Sequence, residues 1–249
     1  MSGDYLEQLL RVFLYALGTA LSTGLGALPF FLTRDLPRRF LGWAGGFAAG
    51  IMGAASFNLL YEGIEYSLGR TLIGMVIGLV LIHFSQVKLS GNREVDVGRL
   101  HGADARQAIL IVGVMTLHSF AEGVGVGVSF GGGESFGVFI SLAIAVHNIP
   151  EGLAISLVLV PKGVKPLSAA GWSIFSSLPQ PLIALPAFLF VWAFRPFLPV
   201  GLGLAAGAMI WMVISELIPE AFEEAPKEQV AAVVTLAVAA MIGFQQLIG

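Results

Sequence analysis

Apolar residues run along this chain in long blocks separated by short polar stretches. A helix that crosses a bilayer needs about 20 mostly apolar residues. Blocks of that length fall at residues 6–32, 40–61, 70–88, 106–129, 136–160, 167–193, 199–220 and 229–248, and we read them as eight transmembrane spans. The connections are short, apart from a polar stretch near residues 89–105. Arg34, Asp35, Pro37, Arg38 and Arg39 mark the first boundary. Gly131-Gly132-Gly133-Glu134 separates spans four and five, and Pro161, Lys162, Gly163, Lys165 and Pro166 separate five and six. No connection is long enough for a separate soluble domain. Residues 1–249 are therefore expected to form one all-α transmembrane domain.

Composition agrees. Charged residues make up 12% of the chain, against about 25% in a soluble domain, and mean hydropathy is +0.86. A net charge of −3 gives no case for nucleic acid. The chain has no cysteine, which excludes disulfides and thiolate metal sites. Asp4 and Glu7 near the N-terminus argue against a cleaved signal peptide. Arg34, Arg38, Arg39, Lys88, Arg93, Arg99, Arg106, Lys162, Lys165 and Lys227 fall on one side of the eight-span pattern, and Arg11, Arg70 and Arg195 on the other. Basic residues favour the cytoplasmic side, so both termini are expected outside.

Titratable groups inside such blocks are costly and mark functional sites by default. His118 and Glu122 lie four residues apart in span four, and His147 and Glu151 four apart in span five. Each pair shares one helix face. Imidazole and carboxylate together suit Zn²⁺, Fe²⁺, Mn²⁺ and Co²⁺. A single pair could equally be a structural hydrogen bond or a proton relay; two pairs on neighbouring spans favour a metal. Such ligands must shed protons to bind, so affinity should fall as pH drops. Pro150 removes a helix hydrogen bond and is expected to bend span five and free the Val146 carbonyl. Ser176, Ser177 and Gln180 carry the polarity of span six, where Pro179 and Pro181 break the helix. Asn58, Glu62 and Glu65 end span two, and Glu216, Glu220 and Glu223 end span seven at matching spacings. That echo suggests a 3+2+3 inverted repeat. Asn58, Glu62, Glu216 and Glu220 are candidate pathway residues; Glu65 and Glu223 read as solvated helix ends. His83 reads as interfacial. His101, with Asp96 and Asp104, reads as a solvated loop. Met52, Met75 and Met209 read as core or lipid-facing filler. Gly46/Gly50 and Gly74/Gly78 offer small-residue faces that could pack within the chain or across a homodimer.

His147-Asn148-Ile149-Pro150-Glu151-Gly152 resembles the span-five signature of the ZIP (Zrt/Irt-like) divalent-metal transporters. His118-Ser119-Phe120-Ala121-Glu122-Gly123 is similar, less fully, to their span-four signature, and Gly46-Phe47-Ala48-Ala49-Gly50-Ile51-Met52 resembles GufA-like prokaryotic members. The resemblance covers essentially the whole chain. It implies uptake of divalent metal into the cytoplasm, zinc first and iron, manganese, cobalt or cadmium as further cargo. The metal would be substrate rather than cofactor. It implies His118, Glu122, His147 and Glu151 as the principal site, the two glutamates bridging, with Asn148 and Gln180 at a second site. Two departures weaken that second site: Ser119 stands where many members have Asn, and Gln180 where many have Glu. One strong site is therefore expected, with Ser119 lining the path. Access would switch as one repeat rocks against the other. The competing readings are an intramembrane metal-dependent hydrolase and a non-transporting metal sensor. A short 3–4 loop without a His-rich run favours a bacterial inner membrane.

Overall fold

The computed structural model describes residues 2–33, 36–89 and 103–248, and every regular element among them is helical. Helix α1 (Ser2–Thr23) passes into a 3-10 segment, Gly24–Phe31, as Pro29 tightens its end. Helix α2 (Arg38–Leu89) is continuous except at Ser67, whose extended backbone (φ −171°, ψ 108°) divides it into two arms. Glu62 and Glu65 lie in the helix just before this break, and Glu65 is exposed there. Helices α3 (Ala103–Gly132) and α4 (Glu134–Leu159) meet at Gly133 alone. Its φ of 149° lies where side chains are strained, which explains a glycine at this one-residue turn. The prolines of span six do interrupt it: α5 (Pro166–Ser177) ends one residue before α6 (Pro179–Ala193). Helix α7 (Leu198–Met212) widens into a π-helical turn (Val213–Leu217) before α8 (Ile218–Glu224), and α9 (Lys227–Ile248) closes the described chain. Six segments among the described residues are long and apolar enough to cross a membrane, the 48-residue stretch Arg38–Ser85 included.

Packing sorts the helices into two groups. One joins α1, α3, α4, α5 and α6; the other joins α2, α7, α8 and α9. Glycine decides this, because helices in lipid associate by close packing rather than by apolar burial. In the second group Gly74 and Gly78 lie on the α7 backbone at Val200 and Leu204, while Gly203 and Gly207 lie on the α2 backbone at Thr71 and Met75. Gly46 and Gly50 lie against Val230, Val234 and Ala237 of α9. The glycine faces are therefore consumed within the chain and no longer argue for a homodimer. In the first group Gly152 lies on the Thr23 carbonyl and Gly127 on that of Ala184. Between the groups Gly125 has looser neighbours: a Cβ there would stand 3.6 Å from Ala205 Cβ and 3.9 Å from Met209 Sδ.

Replacing Gly152 by alanine would drive a methyl group into the Thr23 carbonyl oxygen. We expect Gly152→Ala to lose about 1–3 kcal/mol of stability, read as a lower melting midpoint in detergent. Gly18→Ala, where the methyl meets nothing within 4 Å, should leave the midpoint unchanged. Equal midpoints for both variants would contradict the packing described.

Candidate metal centre

Because α3 and α4 are joined by one residue, their polar faces run side by side. At about 1.5 Å per residue, the side chains of His118, Glu122, His147 and Glu151 lie roughly 20 Å along the two helices from the turn. All four are buried, with exposures of 0–3%, near or beyond the middle of a hydrocarbon layer about 30 Å thick.

Three of the four converge. His147 Nε2 stands 3.0 Å from Glu151 Oε1 and 3.3 Å from Glu122 Oε1. One ligand atom from each of Glu122, His147 and Glu151 lies within 4.8 Å of the others. Zinc at about 2.0–2.2 Å from nitrogen and oxygen ligands sets them about 3.3 Å apart in a tetrahedron, so the imidazole–carboxylate spacing already suits an ion. Glu151 Oε2 is buried without a hydrogen-bond partner. Such atoms are expensive in a dry interior, and a cation offsets that cost.

His118 is not part of this triad. Its Nε2 lies 3.4 Å from Glu216 Oε2, on the π-helical turn of the other helix group. The i, i+4 spacing puts His118 and Glu122 on one face, but the π-helical turn brings Glu216 to the His118 end of that face. The four-ligand cluster thus resolves into a triad and a neighbouring His118–Glu216 pair.

The amides have a different role from the carboxylates. Gln180 Nε2 donates to Glu122 Oε2 at 2.7 Å. Its Oε1 accepts from Thr19 Oγ1 at 2.6 Å and from Asn148 Nδ2 at 3.1 Å. Asn148 Nδ2 also donates to the Thr19 carbonyl at 2.7 Å. Gln180 and Asn148 therefore hold Glu122 from behind. Thr19 belongs to this network and was not singled out by sequence reasoning: nothing distinguishes a lone threonine in an apolar span.

The remaining candidates lie apart. Asn58 donates to the Ala54 carbonyl of its own helix at 3.1 Å. Glu62 borders the α3–α4 turn at Gly132, about 15 Å above Glu122. Glu220 is exposed one turn past Glu216, while Ser119 is buried with its hydroxyl unpartnered. His83 is exposed and meets the Trp211 ring edge-on at 5.9 Å. His101 and Asp96 lie outside the described residues, as does the Asp104 side chain. Helix α4 runs through Pro150 without a break. Nearby, Ser22 Oγ donates to the Ala145 carbonyl at 2.7 Å.

The family model described as "ZIP Zinc transporter" matches residues 83–245. A protein of Arabidopsis thaliana provisionally named as a zinc transporter is 51% identical over 233 residues, covering 92% of this chain and 38% of that protein. Zinc transporter GufA of Myxococcus xanthus is 33% identical over 216 residues, 82% of this chain and 84% of that protein. Zinc transporter ZIPB of Bordetella bronchiseptica is 33% identical over 219 residues, covering 80% and 69%. This chain thus spans well under half of the plant relative's length. Each of these three relatives carries the name of a zinc transporter.

Proposed function

We propose, from the premise that the chain belongs to the ZIP zinc transporter family, that it carries divalent transition-metal ions across a membrane, zinc foremost. The observation that carries the reading is the buried Glu122–His147–Glu151 triad, whose spacing matches a zinc site. The ion is cargo, held in transit rather than kept as a cofactor. Its route runs between α3 and α4 and passes the His118–Glu216 pair.

Eight spans follow if the two arms of α2 each cross, with α3 added to the other apolar segments. The basic-residue asymmetry then supports termini outside and transport into the cytoplasm. The matching ends of spans two and seven support the 3+2+3 repeat. The helix groups cut across that repeat, since the first span joins four, five and six. Movement of the α1/α3–α6 group against the α2/α7–α9 group is therefore favoured over rocking of one repeat against the other. Two bacterial relatives and the short 3–4 loop support a bacterial inner membrane; the plant relative weighs against it.

The test is uptake of Zn²⁺ and Cd²⁺ into liposomes carrying the purified protein. Saturable uptake above empty liposomes is the expected result. Metal binding without uptake would point to a sensor instead. Stoichiometry gives a second prediction. The Gln180 amide donates to the Glu122 oxygen that a bridging second ion would need, so one zinc per chain should remain after gel filtration. Gln180→Glu turns that donor into an anion and should raise the ratio towards two. Two tight ions in the unaltered protein would overturn the single-site reading.

A further inference from the structure

The face of α4 turned away from the metal triad borders a concave apolar groove of about 560 Å³. Ile149, Pro150 and Leu153 form one wall, and Phe40, Trp43 and Phe47 of α2 the other. The walls thus belong to different helix groups, and the groove opens along the seam between them. Its lining has almost no polar surface. The Trp43 indole N–H is already donated to Gln229 Oε1 at 3.1 Å.

None of the described residues lining the groove is charged, and a cation lies near one end. Phe40, Trp43 and Phe47 follow one face of α2, and Arg39 lies one turn before Trp43 on that face. Arg39 is exposed, and so is Arg38, 3.7 Å from Glu224. The groove is therefore an apolar slot with a cationic mouth. A stretch of extended polypeptide would bring backbone polar groups that this lining cannot satisfy. A hydrocarbon chain brings none, and the Arg39 mouth matches an anionic headgroup.

We propose that the groove binds an anionic glycerophospholipid of the bilayer, one acyl chain lying against Pro150 and Trp43 and the phosphate at Arg39. The bound lipid bridges the seam between the two helix groups. The site stands independently of which ion is carried.

A protein retaining Trp43 alone (Trp172→Phe, Trp192→Phe, Trp211→Phe) in phosphatidylcholine vesicles tests this. Its fluorescence is titrated with phosphatidylglycerol brominated on the acyl chains, then with phosphatidylcholine brominated at the same positions. Half-quenching should need about fivefold less of the anionic lipid, the selectivity expected of one basic side chain. Arg39→Gln should abolish that preference. A matching protein that keeps Trp211 alone, whose ring meets His83 edge-on, should show none. Equal quenching of Trp43 by both lipids, or the same preference at Trp211, overturns the site in favour of an ordinary lipid shell. No quenching of Trp43 by either lipid overturns it in favour of another occupant.

Discussion

Liposomes carrying the Glu151→Ala protein should take up zinc no faster than empty liposomes, and His147→Ala should behave alike. Each substitution removes one of three ligand atoms grouped around a single point. Loss of a residue that merely supports a ligand costs about 10–100-fold in affinity, so loss of a ligand itself should exceed about 100-fold. In Glu151→Ala the remaining pair, His147 Nε2 and Glu122 Oε1 at 3.3 Å, cannot complete a four-coordinate site. Neither change should unfold the protein. Helix α4 is held by Gly152 on the α1 backbone, and His147 Nε2, which loses Glu151 Oε1, keeps Glu122 Oε1 at 3.3 Å. Asn58→Ala supplies the contrast. Its amide is satisfied within its own helix turn, so uptake should stay near the unaltered rate. Indicator dye trapped in the vesicles reads all three proteins, with gel filtration confirming their integrity. Undiminished uptake by Glu151→Ala would move the route away from α3 and α4.

Much of this was legible in the sequence because lipid makes strong demands. Block length alone located five of the six membrane-length apolar segments among the described residues to within about four residues, and split the sixth, Arg38–Ser85, near the break at Ser67. The burial cost of charge singled out His118, Glu122, His147 and Glu151. What escaped depends on how helices turn toward one another. The i, i+4 rule puts His118 on the face of Glu122, but it does not say that the π-helical turn Val213–Leu217 brings Glu216 to His118. Thr19 escaped because a small hydroxyl in a helix usually bonds its own backbone. Here it also reaches Gln180. The division into two groups escaped for a related reason: each glycine announces that some helix approaches closely, while its partner emerges only in three dimensions. Gln180 stood out in the sequence as an amide between Pro179 and Pro181. Its consequence, an amide clamp on Glu122, needed the positions of Thr19 and Asn148.

Glu216→Ala should separate binding from transport. Glu216 belongs to the α2/α7–α9 group and approaches His118 of the other group at 3.4 Å. The π-helical turn that carries it shifts the register of the side chains that follow, a feature common at functional sites. The triad of Glu122, His147 and Glu151 does not include it. Zinc affinity at equilibrium should therefore stay within about twofold of the unaltered protein, since no ligand of the triad is removed. Flux should fall steeply. A contact to a charged group is worth about 1.5–3 kcal/mol, and a barrier raised by that amount slows passage by about 10–150-fold. The change acts at the divide between the helix groups, where an ion leaving the triad would meet the second pair. Competition against a fluorescent chelator measures affinity, and liposome uptake measures flux, on one preparation. If affinity and flux fall together, Glu216 is a ligand of the same site and the two-pair arrangement fails. If both persist, the ion's route does not pass His118.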